Sequence, residues 1–134
     1  MVTTQTFYRA VARTGHQADR QVVKRATAAV LHALRDRLTT DEADQVAAQL
    51  PIELKEIWGE GERPDREPVK MKLDEFYERV LRDAGLPSKR EARWMILAVF
   101  AALKEQISAG EARHVMAQLP RDLKEFWDEA QAEV

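Results

Sequence analysis

The sequence predicts an all-α protein of about eight helices, arranged as two tandem four-helix repeats packed into one pseudo-twofold helical bundle. Three observations predict it. The chain is rich in Ala, Leu, Glu, Lys, Arg and Gln, with 45% apolar and 33% charged residues and only five Gly and five Pro in 134 positions; this favours long amphipathic helices over strands. Sliding the chain against itself by 69 positions aligns Phe7-Tyr8 with Phe76-Tyr77, Ala29-Val30 with Ala98-Val99, and the phrase AQLPIELKEIW (48–58) with AQLPRDLKEFW (117–127), without a gap. Self-similarity of that length marks one supersecondary unit used twice. Helix-start signals then recur at matching places in both copies.

The first helix of each unit is expected near 4–14 and 72–84, where Phe7, Tyr8 and Val11, and Phe76, Tyr77, Val80 and Leu81, share one helical face. Gly15 and Gly85 follow, suited to left-handed caps. The second helix is expected near 20–38 and 89–107, opened by Asp19 in one copy and by Ser88 after Pro87 in the other. Ser88 with Glu91 fits a capping box, and so do Thr39 with Glu42 and Ser108 with Glu111, which open a short third helix. Pro51 and Pro120 suit the first position of a fourth helix, whose Leu54, Ile57 and Trp58, or Leu123, Phe126 and Trp127, form an apolar stripe. The expected organisation is therefore repeat 1 over 1–58, a Gly- and Pro-containing linker over 59–70 and repeat 2 over 71–134, in one compact body.

These residues resemble a bacterial family of uncharacterised proteins known as domain of unknown function 2267. The resemblance rests on Phe-Tyr-x-x-Val, on Ala29 to Leu34, on Leu38 to Ala43 and on Ala-Gln-Leu-Pro-x-x-Leu, and it runs through both halves as two tandem copies of the helical unit. It implies an all-helical fold and no assigned activity, and it carries no catalytic or binding residue onto this chain.

The absence of Cys excludes disulfide frameworks, thiolate zinc sites and thiol catalysis. The N-terminal stretch lacks the apolar core of a secretory signal, and the longest apolar run, 94–103, is about half of what a membrane span needs. The expectation is a cytoplasmic protein with no membrane association. No residue is expected to be catalytic or to bind a cofactor. Glu111-x-x-His114 has the spacing by which helical bundles aim two metal ligands, yet the other copy reads Glu42-x-x-Gln45 and Glu111 is expected to be engaged as a cap, so no metal is expected.

Charge is unevenly spread. Residues 1–40 carry seven basic side chains against Asp19 and Asp36, net +5, and residues 41–62 are net −6. Arg9, Arg13, Arg20 and Lys24 fall at i, i+4 spacings and could form a polyanion-binding ridge; the favoured reading is that this basic front faces the acidic end of its own unit. Trp94 replaces Arg25 of the other copy on a helix apolar nearly all round, so that helix is either central or part of an interface, with Trp94 the interface candidate. The favoured function is a non-catalytic interaction or structural module with an unknown protein partner. Nucleic-acid or other polyanion binding, and a small apolar ligand held between the repeats, stand as alternatives.

Overall fold

The computed structural model describes residues 3–131; the outermost ends of the expected repeats, 1–2 and 132–134, lie outside the described residues. Eight helices follow in order: α1 Thr4–Thr14, α2 Arg20–Arg37, α3 Thr40–Ala47, α4 Ile52–Gly59, α5 Leu73–Ala84, α6 Lys89–Gln106, α7 Ala109–Ala117 and α8 Arg121–Glu129. There is no strand among the described residues. Each helix of the second half starts 69 positions after its counterpart. Local signals account for the starts: Asp19 accepts from the backbone N–H of Gln21 and Val22, and Ser88, Thr39 and Ser108 each accept from the N–H three residues on. Pro51 and Pro120 sit one position earlier than expected, as extended N-cap residues.

The ends of the first helices differ from expectation. Gly85 is left-handed, with φ 64°, but Gly15 is right-handed at φ −85° and the left-handed residue is His16, φ 51°. Gly15 is small for another reason. A Cβ there would meet the Val11 carbonyl oxygen at 3.0 Å, Met95 Sδ at 3.1 Å and Ala98 Cβ at 3.3 Å, so glycine lets the end of α1 lie against α6.

The helices do not pack as two separate units. α1 lies chiefly on α6, and α5 chiefly on α2, so the first helix of each half covers the long helix of the other; α2 and α6 also touch. One continuous core results, running from Phe7 and Val11 through Leu31 and Leu34 to Phe76, Val99 and Phe100. α2 and α6 lie together at the centre, each with nine buried residues. Phe100 makes edge-on contacts with Phe76, Phe126 and Trp127 at 5.7, 6.1 and 5.0 Å; its counterpart is Leu31, so the aromatic cluster belongs to the second half alone. Trp58 and Trp127 are 3% and 2% exposed, and Trp58 Nε1 donates to the Ala43 carbonyl at 3.0 Å.

Polar contacts repeat at the same offset. Arg35 Nη1 donates to the carbonyls of Trp58 and Glu60 at the end of α4, and Lys104 Nζ to those of Trp127 and Ala130 at the end of α8, each placing a cation on free C-terminal carbonyls. Glu53 accepts from the Thr4 hydroxyl at 2.9 Å, and Asp122 accepts from the Leu73 N–H at 3.0 Å. The segment between the halves is held down by Arg66, whose guanidinium donates to the carbonyls of Arg35 and Leu38 at 2.8 and 2.7 Å and to Glu62 at 2.6 Å. Val69 N–H donates to the Asp36 carbonyl at 2.7 Å, and Met71 is buried.

Candidate functional site

The basic residues singled out from the sequence lie on α1 and α2, all four exposed. Three of them, Arg9, Arg20 and Lys24, surround a cavity of about 250 Å³ between those helices, with Tyr8, Gln5 and Gln17 completing its wall. Arg13 lies outside the lining. The ammonium of Lys24 stands 6.0 Å from the centre of the Tyr8 ring, within cation–π range. Burial first, and then the charges of Glu53 and Glu60, hold the Tyr8 phenol above its ordinary value, so it presents a neutral hydroxyl.

Glu53, Glu60 and Glu62, from the acidic end of the first half, have closer partners elsewhere. Glu53 is engaged by Thr4, Glu60 stands 3.8 Å from His32 Nε2, and Glu62 pairs with Arg66 and Arg35. Among the described residues none of Arg9, Arg13, Arg20 or Lys24 forms an ion pair with a carboxylate. All four cations are exposed and three of them surround one concavity, while Glu53 and Glu60 stand near enough to act on the Tyr8 phenol in its wall.

Trp94 is 40% exposed and stands edge-on to His16, with ring centres 5.4 Å apart. It lies beside the end of α1, on the exposed side of α6 next to Arg93. His32 points its Nε2 at the Ile57 carbonyl, 2.6 Å away, and is a partly exposed helix residue as its position suggests.

A second constellation forms where α3 meets α7. The expected capping boxes close only halfway. Thr39 and Ser108 accept from the Glu42 and Glu111 N–H groups at 3.2 and 3.1 Å, but the carboxylates do not return the bond. The N–H of Thr39 instead donates to Gln118 Oε1 at 2.9 Å, and that of Ser108 to Gln49 Oε1 at 2.7 Å. These are the glutamines of the repeated Ala-Gln-Leu-Pro phrase, each reaching into the opposite half. Their signal in the sequence is the phrase itself, which a helix start and a core anchor do not fully explain. Freed from capping, Glu42 and Glu111 turn inward, 7% and 6% exposed, each with a buried Oε2 that has no hydrogen-bond partner. With the exposed His114, their ligand atoms all lie within 4.8 Å of one another. The expectation that Glu111 is committed to a cap is thus corrected.

Residues 4–126 match the family described as an uncharacterized conserved protein, DUF2267. The single match runs through both halves. No curated protein matches the chain. Among the described residues no helix is long and apolar enough to cross a membrane.

Proposed function

We propose that this chain, which belongs to the DUF2267 family, is a non-catalytic binding module whose α1–α2 cavity receives an acidic segment of a protein partner. The observation that carries this reading is the ring of Arg9, Arg20 and Lys24 around a concavity with an aromatic wall, none of the three in an ion pair with a carboxylate among the described residues. Cations without an internal ion pair need none broken when an anion approaches, so only their desolvation opposes the attraction, and a concave site adds shape to charge. A carboxylate side chain fits about 250 Å³ with its chain on Tyr8 and its oxygens on the rim. The runner-up, a nucleic acid, is disfavoured because the cations encircle one point instead of tracking a backbone, on a protein of net charge −2.

The 69-residue offset supports a duplicated helical unit about a pseudo-twofold axis. In that arrangement the cavity is a feature of the first copy: Arg20, Lys24 and Arg9 correspond to Lys89, Arg93 and Glu78, and the second copy ties Arg93 to Glu129 and to the Tyr77 hydroxyl.

The test is fluorescence anisotropy with a labelled Glu-rich peptide and, separately, a labelled DNA duplex. The peptide should bind at roughly 10 μM or tighter at physiological salt, and weaken at least about ten-fold when Arg9, Arg20 and Lys24 are all changed to Glu, with less effect from Arg13→Glu. Melting temperature should fall only slightly in the reversed protein, since no ion pair among the described residues is lost and the contact given up is the Lys24–Tyr8 cation–π pair. Duplex DNA should stay in the non-specific range of about 10⁻⁴ to 10⁻⁶ M. Submicromolar, salt-sensitive DNA binding that the triple change abolishes would transfer the cavity to the nucleic-acid reading.

A further inference from the structure

We infer that Glu42, Glu111 and His114 form a mononuclear site for a divalent first-row transition metal such as Zn²⁺, clasping the two halves at the α3–α7 junction. The argument begins with two carboxylates more than nine-tenths buried, each presenting an Oε2 that no protein donor satisfies. Neither forms an ion pair among the described residues. An unpartnered buried carboxylate oxygen is costly, and two beside each other repel. A cation between them removes both penalties at once.

The third residue says which cation. His114 is one helical turn from Glu111, and its ring nitrogen comes within 4.8 Å of both carboxylates. Imidazole with carboxylate selects zinc, iron or manganese over calcium and magnesium, which favour sites made of oxygen alone. Three protein ligands leave a coordination position for water, and the exposed side of His114 is where the ion enters. The count of ions follows from the repeat. A paired-metal bundle site needs the Glu-x-x-His step on two helices, and here Gln45 occupies the position corresponding to His114, so the ligands suffice for one ion. The two glutamines complete the logic. By capping Thr39 and Ser108 from across the junction, Gln118 and Gln49 release the carboxylates from the task their spacing would otherwise give them.

The full chain, stripped with chelator and titrated with Zn²⁺ or Co²⁺ at neutral pH, should bind one ion per molecule by calorimetry and elemental analysis. Its melting temperature should rise with added metal. Glu42→Gln, Glu111→Gln and His114→Ala should each weaken binding by roughly 100-fold or more, since even partners outside the ligand set are typically worth about ten- to a hundred-fold. The two Glu→Gln proteins keep the side-chain shape, and in metal-free form they should melt no lower than the parent, because repulsion is removed; this separates loss of ligand from loss of fold. Gln45→His should strengthen binding. Absence of a saturable one-to-one complex overturns the assignment, as does affinity unchanged in both Glu→Gln proteins.

Discussion

Asp36 at the end of α2 accepts a hydrogen bond from Arg79 of α5 at 2.6 Å, an ion pair that joins the two halves with little exposure on either side. Arg35 reaches the same carboxylate at 2.9 Å. Burial alone would raise the Asp36 pKa, but the hydrogen bonds and charges of Arg79 and Arg35 outweigh it and hold the group below the usual carboxylate range. Glu62 is held low in the same way, burial being overcome by Arg66, by the Arg63 N–H and by the Arg35 charge. A carboxylate with a lower pKa folded than unfolded contributes stability that is complete above its unfolded value and is lost as pH falls through the folded one. Unfolding free energy from urea titrations should therefore be flat near neutrality and fall below about pH 4. Asp36→Asn should cost about 2 kcal/mol at pH 7 and make the acid decline shallower, because Arg79 and Arg35 lose their counter-ion. An unchanged acid limb in that variant would show that other groups govern it.

Gln49→Ala and Gln118→Ala each strip an N-cap backbone N–H of its partner in the opposite half. Thr39 and Ser108 are exposed enough for water to substitute in part, so each change should cost about 1 kcal/mol. Gln45→Ala is the control: that side chain is exposed, and the change should stay within about 0.5 kcal/mol. Equal effects at all three positions would mean that the cross-half caps contribute nothing specific.

Three glycines test the fold at its tightest and loosest points. Gly15→Ala forces α1 off α6 and should cost about 1 to 3 kcal/mol. Gly85→Ala meets no atom within 4 Å but retains φ 64°, for a penalty of about 1 to 2 kcal/mol. Gly59→Ala, in open space at the last turn of α4, should be neutral or slightly stabilising. Differential scanning calorimetry would rank them, and a Gly15→Ala protein as stable as the parent would show that the α1–α6 contact can relax.

The contrast between Gly15 and Gly85 marks where sequence reading ends. Both look like helix stops, because the stop is a local property of the chain; that Gly15 is small to admit Met95 and Ala98 depends on a helix eighty residues away. The eight helices were legible for the first reason, since caps, turn residues and apolar stripes act over four or five positions. Of the α1–α2 cavity, the cations Arg9, Arg20 and Lys24 were legible and their gathering around one concavity was not, for that depends on how α1 packs on α2. Glu42 and Glu111 fit a local rule perfectly well and disobey it, because Gln118 and Gln49 supply a competing acceptor from the other half. Residues 69 positions apart, such as Glu42 and Glu111, meet only if the two halves face each other at that point, and no spacing in the sequence encodes that.

The exchange of first helices leads to the last prediction. Each half cut from the other would retain a long helix whose cover is missing: residues 1–62 would keep α2 but lose α5, and residues 68–134 would keep α6, with its nine buried residues, but lose α1. Val99, Phe100 and Ala101, fully or almost fully buried in the intact chain, have few alternatives within their own half. At about 25 cal/mol per Å² of apolar surface returned to water, a helix-sized face outweighs the whole stability expected of a fragment this short. Either half alone should therefore lack cooperative unfolding and should aggregate or bind hydrophobic dyes. The two halves produced together should recover a cooperative transition, because the same contacts can form between separate chains, at the added entropic cost of association. Trp58→Ala and Trp127→Ala in the intact chain, expected to cost about 3 to 5 kcal/mol each, would then abolish that reassembly before they abolish folding of the covalent protein. A lone half that unfolds cooperatively as a monomer would show that each unit closes its own core, contrary to the α1–α6 and α2–α5 packing.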